Sequence, residues 1–467
     1  MDTPIYQGIK HYISAGRTSF HMPGHKGQAI FKPASFFALD VTELPDTDDL
    51  HDPHSYIAQS EDALTRLYQT RQSYYLLGGA SCGIHAMLAA VLREGDTVIL
   101  DRECHKSVIH ALVWIGAKPV YVYPKYNHQF GFAGGVDPAD VQQALEAHKA
   151  KAVLITSPTY YGGLSDIAAI AKTAHANGAL LLVDEAHGAH LPFCAALPDS
   201  AIACGADLVV QSVHKTLGAL SGGALLHVCS DMDAAHIRKL LAMFQTSSPS
   251  YAMLCALEQA VFSAPQLEKR FAALLEQIET GKKLVNETGK AYWIGEELKN
   301  SCQIQAFDHT RIVINFTKTG LSGYQIASLL RENHKIEVEL ADAHNIVCIA
   351  SAYNDAADIK KLTKAVLAIV KKVQPAANNI RIAETPPAVV RLTPREAFYR
   401  ESEPIHLEQA TGRIAKHPVC KYPPGTPILA PGEEIQLEHI RTITALLDSG
   451  TAVNGVSEDY QITVIKA

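Results

Sequence analysis

Two ionisable residues follow apolar runs of the chain, at positions where strands of an open α/β sheet would end. Asp184 comes directly after the run 179–183, and Lys215 lies just past the run 208–210. Ligands of such sheets bind beyond the carboxyl ends of the strands, so an Asp there could hold a metal, a ribose or a protonated ring nitrogen. The plain alternatives are an Asp that caps the next helix and a lysine that is solvated at the surface.

An Asp and a Lys at neighbouring strand ends are the pair that pyridoxal phosphate (PLP) chemistry requires. The lysine forms a Schiff base with the cofactor, and the carboxylate keeps the pyridine nitrogen protonated as an electron sink. Ser212, His214 and Thr216 could supply hydrogen-bond donors around Lys215. The combination indicates PLP chemistry more strongly than either residue alone.

A glycine-rich turn, Gly78-Gly-Ala-Ser-Cys-Gly83, leads from a predicted strand into an apolar helix over 84–92. Backbone N–H groups at the start of a helix can cradle a phosphate. The turn matches neither GxGxxG nor GxxxxGK[ST], so a dinucleotide site and a P-loop lose support. A tight strand-to-helix turn without a ligand is the structural alternative.

Two further polar segments follow predicted strands and would reach the same edge of the sheet. His105 could stack on a flat aromatic cofactor, although a lone histidine is more often structural, and the loop 156–163 follows the next strand. A metal site is the competing use of the histidines. Pro and Gly inside His21-Met-Pro-Gly-His25 keep the two rings off one helical face, so we expect no metal site.

The elements that position these residues are short apolar runs alternating with helical patterns over 56–270. The runs show little polar alternation, which is typical of strands buried on both faces of a parallel sheet. They lie at 73–77, 97–100, 119–122, 152–155, 179–183, 208–210 and 222–228. The sequence therefore predicts an α/β fold with a mostly parallel sheet.

Four regions divide the chain. Residues 1–55 form an N-terminal arm with an acidic loop at 43–52, and residues 56–270 form the large, cofactor-binding domain. One long polar helix over 265–300 is predicted to connect it to a small α+β domain at 271–380. A linker at 375–385 leads into a turn-rich C-terminal domain at 381–467.

Composition and charge exclude several classes of protein. Of 467 residues, 47% are apolar and 19% charged, which is typical of a folded chain. The 41 Lys and Arg against 48 Asp and Glu give a net charge of −7, so no basic excess indicates a nucleic-acid partner. The nine scattered cysteines contain no CxxC pair, which predicts reduced thiols. Neither a membrane-spanning run nor a signal peptide is visible, so we expect a cytoplasmic protein.

Motifs along nearly the whole chain resemble the Orn/Lys/Arg decarboxylase family, PLP enzymes with the aspartate aminotransferase fold (fold type I). The Ser-x-His-Lys and HxPGHKG elements are specific together, whereas either alone would be weak. The matching stretches are His21-Met-Pro-Gly-His-Lys-Gly27, Asp40-Val-Thr-Glu-Leu44, Asp48-Asp-Leu-His51, Gly79-Ala-Ser-Cys-Gly83, Cys104-His-Lys-Ser107, Asp184-Glu-Ala-His187, Ser212-Val-His-Lys-Thr216, Thr246-Ser-Ser-Pro249, Glu337-Val-Glu-Leu-Ala-Asp342, Pro394-Arg-Glu-Ala-Phe398, Tyr422-Pro-Pro-Gly425 and Pro431-Gly-Glu433.

The resemblance implies a role for each matching residue of the cofactor site. Lys215 would be the Schiff-base lysine, Asp184 the partner of the pyridine nitrogen, and His105 the residue stacked on the ring. Ala186 and His187 would line the ring. The residues implied around the phosphate are Ser81, Cys82, Gly83, Ser212 and His214.

The resemblance also implies an assembly and shows two departures from the family. Thr246 or Ser247 would reach the phosphate of the neighbouring subunit, which implies a homodimer with composite active sites and leaves a higher oligomer open. Larger members carry an N-terminal response-regulator-like domain, whereas the HxPGHKG element begins here at residue 21, so we expect a short form without it. Cys82 stands where many members have Thr, and a thiol is the weaker donor.

The reaction implied by the resemblance is α-decarboxylation of a basic amino acid. Arginine is the first choice of substrate, then lysine or ornithine, and the products would be agmatine, cadaverine or putrescine, with CO2. These amines would serve polyamine synthesis or acid resistance. Lys215 or His214 would return the proton to Cα. A cationic side chain needs an acidic partner, for which the candidates are Glu43, Asp46, Asp48, Asp49, Glu337 and Glu339.

Two other functions stay open from the residues. Another fold-type-I enzyme, an aminotransferase or a carbon–sulfur lyase, could use Arg311 or Arg391 for the substrate carboxylate. A non-catalytic homologue is the alternative from another class, and the intact Asp184 and Lys215 argue against it.

Overall fold

The computed structural model describes residues 13–26, 28, 37–44, 47–374, 386–422, 425–448 and 451–466. The linker predicted at 375–385 and the candidate Asp46 lie outside these residues. Strands in the first part of the chain are β1 (Thr18–Phe20), β2 (Gln72–Leu76), β3 (Thr97–Asp101), β4 (Lys118–Val122), β5 (Tyr126–Asn127), β6 (Phe132–Ala133), β7 (Ala150–Thr156), β8 (Gly163–Leu164), β9 (Leu180–Asp184), β10 (Leu208–Gln211) and β11 (Ala224–Val228). The helices of this part are α1 (Tyr56–Tyr68), α2 (Gly79–Val91), α3 (Lys106–Ile115), α4 (Pro138–Ala147), α5 (Ile167–Ala176), α6 (Val213–Thr216), α7 (Ala234–Phe244) and α8 (Tyr251–Ser263).

A seven-stranded sheet organises this part, in the order β2-β11-β10-β9-β7-β3-β4. Neighbouring strands are parallel except where β11 pairs with β10 and β2. Successive buried residues of β9 pack into different cores: Leu182 joins the cluster under α2 and α3, whereas Leu181 and Val183 join the cluster under α4 and α5. Burial on both faces explains why the strand sequences lack polar alternation. The predicted mostly parallel α/β sheet is confirmed.

A smaller sheet follows the large one. Its elements are α9 (Glu268–Asn286), β12 (Tyr292–Trp293), β13 (Ala306–Phe307), β14 (Arg311–Asn315), α10 (Gly323–His334), β15 (Ile336–Val338), β16 (Leu340–Ala341), β17 (Asn345–Ile349) and α11 (Ala356–Lys372). Strands β12, β14, β17 and β16 form an antiparallel sheet in that order, while β15 pairs in parallel with β1.

The long helix predicted over 265–300 is wrong beyond Asn286. The chain turns at Gly289, whose φ of +65° lies in the left-handed region that glycine adopts without strain. Trp293 then enters β12, where it is 1% exposed. Burial of this indole on the small sheet overrides the helical pattern of the segment.

The C-terminal part contains α12 (Pro394–Tyr399), β18 (Ser402–His406), β19 (Val419–Tyr422), β20 (Thr426–Leu429), α13 (Leu437–Asp448), β21 (Ala452–Asn454) and β22 (Gln461–Ile465). It has an apolar cluster of its own and is joined to the large sheet by a buried ion pair of Arg102 with Glu433, at 3.1 Å. The division of the chain into four regions stays a prediction. Among the helices of the described ranges, none is long and apolar enough to cross a bilayer.

Candidate active site

Parallel strands bring three polar residues to one edge of the large sheet. Strands β3, β7 and β9 are neighbours and end in Asp101, Thr156 and Asp184. Strand β10 ends beside them at Gln211, and the single turn of α6 then carries Lys215. The sheet topology therefore places Asp184 and Lys215, 31 residues apart in the chain, at the same edge.

The Asp184 carboxylate is 3% exposed and accepts one backbone hydrogen bond, from the N–H of Ala186 to Oδ1 at 3.1 Å. Burial raises its pKa, and the nearby charge of Lys215 opposes this shift. Such a carboxylate needs a positive partner beyond the single N–H that holds it. A protonated ring nitrogen is a group that could act as that partner.

Lys215 lies on α6 with its Nζ 3.1 Å from Nε2 of His187. Burial lowers the pKa of Lys215, while Asp184 and Glu339 oppose the shift. A lysine in this setting is closer to its uncharged, nucleophilic form than a solvated lysine. Lys215 is half-buried, so it is not a fully solvated surface lysine.

His187 is buried, and the ring of Tyr160 packs edge-on against it with centroids 4.9 Å apart. Burial, with the charges of Lys215 and Arg311, lowers the pKa of His187 well below its ordinary value. Its neighbour Ala186 is buried as well, 6% exposed. The segment Asp184–His187 thus turns across the site directly after β9.

The glycine-rich turn leads into α2, which begins at Gly79 without a side-chain cap. The N–H of Gly79 donates to the carbonyl of Gly222 at 2.8 Å, whereas the N–H groups of Ala80 and Ser81 precede the first intrahelical hydrogen bonds and can face an anion in the manner of a phosphate cradle. A Cβ on Gly83 would lie 2.6 Å from Leu76, so only glycine lets α2 approach β2 this closely. Ser81 is exposed, whereas the thiol of Cys82 donates to the carbonyl of Gly79 at 3.0 Å.

His105 caps α3, and its Nδ1 accepts the N–H of Ser107 at 3.2 Å. Burial and the charge of Lys215 lower the pKa of His105 to about 4. The C-terminal part closes over this ring: a Cβ on Gly425 would lie 3.3 Å from Nε2 of His105, and Gly425 accepts the N–H of Lys106. The imidazole is therefore held uncharged and fixed in orientation.

Other groups of the site fit the phosphate and the ring. The Nδ1 of His214 lies 3.0 Å from the carbonyl of Gly223, which makes it a donor and leaves Nε2 as an acceptor. Ser212 is 1% exposed at the start of α6. At this edge of the sheet, three buried hydroxyls have no hydrogen-bond partner among the described residues: those of Thr156, Ser157 and Thr216. These unpartnered hydroxyls, the carboxylate of Asp184 and the amine of Lys215 are together the set of groups that a bound PLP requires.

The HxPGHKG element packs against α6. The N–H of Gly24 donates to the carbonyl of His214, and a Cβ on Gly24 would lie 2.3 Å from the carbonyl oxygen of Leu217. Lys26 donates from Nζ to the carbonyls of His21 and Ile349. This element therefore supports the backbone that carries Lys215.

Thr246 and Ser247 are exposed, and the structure does not bring them into the Lys215 site of this chain. The carbonyl of Thr246 accepts from the ring of His51 in the acidic loop. Their proposed contact with a neighbouring subunit stays a prediction.

The acidic candidates have different surroundings. Burial raises the pKa of Asp48, but four backbone N–H donors outweigh burial and bring it down to about 2. Glu43 accepts from the hydroxyl of Thr42, and Asp49 from the N–H of His51. These carboxylates stabilise the acidic loop.

The two glutamates that follow α10 separate in space. Glu337 forms ion pairs with Arg17 and Arg331, at 3.7 and 3.3 Å. Glu339 lies at the bend where the chain leaves β15 for β16. It accepts the N–H of Met22 at 2.8 Å and the hydroxyl of Tyr160, and its charge acts on Lys215.

Arg311 is a site residue whose contacts the sequence did not predict. It begins β14, is 1% exposed, and donates from Nη2 to Nδ1 of His187 at 2.9 Å. No local motif marks it, because its position depends on the packing of β14 against the loop after β9. Arg391, the other arginine considered for a substrate carboxylate, pairs with Glu434 at the surface.

Comparisons with known proteins show the family to which the chain belongs. The family model for the Orn/Lys/Arg decarboxylase major domain matches residues 3–313, and the model for the C-terminal domain matches 376–461. Arginine decarboxylase of Bacillus subtilis (strain 168) is 34% identical over 489 residues, covering 100% of this chain and 98% of its own. Arginine decarboxylase of Bacillus anthracis is 32% identical, over 100% of this chain and 97% of its own.

A solved structure shows the same fold. The crystal structure of Francisella novicida lysine decarboxylase superposes with a TM-score of 0.78 at 18% identity, over 92% of this chain and 75% of that one. A ureidoglycine–glyoxylate aminotransferase from Bacillus subtilis superposes at 0.57 with 16% identity, over 78% of this chain and 95% of that one. The fold is thus the aspartate aminotransferase-like fold type I. This chain belongs to the Orn/Lys/Arg decarboxylase family and is a PLP-dependent amino acid decarboxylase.

Proposed function

We propose that this chain removes the α-carboxylate of arginine as CO2 and releases agmatine, with lysine and ornithine as poorer substrates. The observation that carries the proposal is the convergence of Lys215, Asp184, His187 and Glu339 at one edge of the sheet. The arginine decarboxylase names of the Bacillus relatives support arginine as the first choice.

The residues of the chain divide the work. PLP, when bound, supplies a ring that accepts the electron pair left at Cα as CO2 departs. Lys215 would hold the cofactor covalently, and Asp184 would keep a proton at the ring nitrogen. His105 would lie on the ring as an uncharged imidazole, since burial is the main cause that lowers its pKa to about 4. Lys215 or His214 would return a proton to Cα, and His214 would do so after its Nε2, an acceptor in the resting ring, has taken up a proton.

Phosphate binding would rest on the start of α2. The N–H groups of Ala80 and Ser81 precede the first intrahelical hydrogen bonds of α2, which Cys82 and Gly83 donate, and Ser212 and His214 approach from the start of α6. Because the Cys82 thiol donates to Gly79, we propose that the backbone N–H of Ser81 replaces the hydroxyl donor of other members.

We propose that Glu339 binds the cationic side chain of the substrate. Its charge reaches Lys215, and Tyr160 and Met22 hold the carboxylate in place. The other described acidic candidates are engaged by loop backbone, by Thr42 or by surface arginines. A carboxylate fixed by two donors retains lone pairs for a guanidinium.

We propose further that the enzyme acts as a cytoplasmic homodimer in which Thr246 and Ser247 complete the neighbouring site. The exposure of both residues in the single chain supports this arrangement. Sedimentation of the purified protein tests the dimer. A monomer with full activity would overturn the composite site.

The function is tested with purified holoenzyme and arginine, lysine or ornithine. We expect a visible absorption band that Lys215→Ala abolishes, and release of CO2 and amine in equal amounts, fastest from arginine. Transfer of the amino group to an added keto acid would identify an aminotransferase instead. A wild-type protein that takes up no added PLP would overturn the proposal.

A further inference from the structure

Three polar side chains form a line from the small sheet to the reactive amine. Arg311, on β14, donates from Nη2 to Nδ1 of His187 at 2.9 Å and to the carbonyl of His187 at 3.1 Å. On the other side of the ring, Nε2 of His187 lies 3.1 Å from Nζ of Lys215. The proposed mechanism uses Lys215 but gives no role to the two hydrogen bonds that Arg311 donates to His187.

The donor and acceptor roles along this line follow from the chemistry of arginine. A guanidinium has five N–H donors and no acceptor, so Nδ1 of His187 must accept. An imidazole that accepts at Nδ1 carries its proton on Nε2. His187 therefore donates towards Nζ of Lys215, which can accept only as an uncharged amine.

The opposite arrangement fails. A charged Lys215 would donate to Nε2, and both ring nitrogens would then have to accept, which requires an anionic imidazole that does not form near neutral pH. A doubly protonated His187 would point an N–H at the N–H of Arg311. Only the order Arg311 to His187 to Lys215 satisfies both contacts.

The surroundings of His187 favour the same protonation. Burial and the positive charge of Arg311 on β14 oppose a second proton on His187, and the titratable groups that face it are Lys215 and His214 on α6 and His105 before α3, with Tyr160 packed against the ring. Arg311 itself lies near the carboxylates of Asp308 and Glu339, which oppose the effect of burial on its pKa. The guanidinium stays charged, whereas the imidazole stays neutral.

We propose that Arg311 is a positioning residue for Lys215, acting through His187 to hold the free amine uncharged with its lone pair towards the imidazole N–H. This inference rests on the proposed role of Lys215. When PLP binds, the amine nitrogen forms a bond to the aldehyde carbon, and the aldehyde oxygen leaves as water with the two amine protons. A charged lysine would first have to lose a proton to solvent.

The first test needs neither cofactor nor turnover. In apoprotein labelled with 15N-histidine, His187 is identified by the signals that His187→Gln removes. We expect Nδ1 unprotonated and Nε2 protonated at neutral pH. A proton on Nδ1 in the wild type would overturn the inference, whether or not any Arg311 variant folds.

The second test measures the rate at which apoprotein captures added PLP, followed by absorbance across a pH series. In Arg311→Met we expect capture at neutral pH to slow about tenfold and to recover at alkaline pH, which corresponds to an upward shift of about one unit in the Lys215 pKa. Arg311→Lys, which keeps a donor, is expected to restore part of the rate. Arg391→Met, at an arginine that is 57% exposed, serves as the matched control and should behave as wild type.

Each failure is distinguishable. Slowing that is equal at every pH, or unchanged capture with a raised KM for substrate, would assign Arg311 to structure or to the substrate carboxylate and overturn the inference. Failure of wild-type apoprotein to form any Lys215-dependent absorbance band would instead overturn the proposed function.

Discussion

Replacing Glu339 with Gln removes one negative charge from the site while nearly preserving the shape of the side chain. In the wild type, Oε2 accepts the N–H of Met22 at 2.8 Å and Oε1 accepts the hydroxyl of Tyr160. The amide oxygen can keep the contact with Met22, and the amide N–H can donate to the oxygen of Tyr160. The substitution therefore tests charge rather than packing.

The size of the effect follows from the contact that is lost. A hydrogen bond to a charged group contributes about 1.5–3 kcal/mol. At 1.4 kcal/mol for each factor of ten, kcat/KM for arginine should fall roughly 10- to 150-fold. The negative charge of Glu339 raises the pKa of Lys215 in the wild type, so its removal lowers that pKa further. Cofactor capture by the uncharged amine is therefore expected to stay intact.

The assay compares arginine with citrulline, which has nearly the same shape without the charge, as a substrate or as a competitive inhibitor. We expect Glu339→Gln to weaken arginine and to change citrulline less than about threefold. Glu297→Gln, which breaks a surface pair with Lys282, is the control for loss of a carboxylate. Equal losses for both ligands, or no loss for arginine, would refute the assignment of Glu339.

Three further predictions concern Asp184, Asp101 and Cys82. Asp184→Asn is expected to lower kcat by about 100-fold or more without lowering the melting temperature, because a buried carboxylate is already costly; unchanged turnover would contradict its role. Burial raises the pKa of Asp101 from 3.8 to about 7, so its contribution to stability is present below pH 3.8 and is lost as the pH rises through 7. Asp101→Asn should therefore gain about 3 kcal/mol relative to wild type between about pH 5 and 8 in urea unfolding, and a constant difference would be the contrary result. Cys82→Ala should change the dissociation constant of PLP less than about threefold in titrations of apoprotein, since the thiol donates to Gly79; a tenfold loss would place the thiol on the phosphate.

The large sheet and its reactive pair could be predicted because the information is local. Each apolar run and the polar residue after it are contiguous in the chain, and parallel strands align their carboxyl ends. Asp184 and Lys215 are therefore found from two short segments. The glycine-rich turn before Gly83 is found in the same way, since only a residue without Cβ fits against β2.

The helix predicted over 265–300 is wrong beyond Asn286 because the polar pattern of the segment does not show that Trp293 becomes buried. The contact of Trp293 with the small sheet is made by residues distant in sequence, and a helical pattern cannot report it. The six carboxylates that could bind the substrate side chain stay a prediction, and the sequence does not distinguish among them for a similar reason. What separates Asp48 from Glu339 is which donors surround each carboxylate.

The sequence by itself determined the fold class, the family and the position of Asp184 and Lys215 at one edge of the large sheet, because these depend on patterns within short segments and on their order. Only the tertiary structure decided the hydrogen-bond partners and the pKa shifts of these two residues. The line from Arg311 through His187 to Lys215 joins residues up to 124 positions apart, and its hydrogen-bond roles exist only once β14 packs against the turn after β9. The protonation of a lysine depends on the charges and burial that folding places around it, and these come from several elements at once.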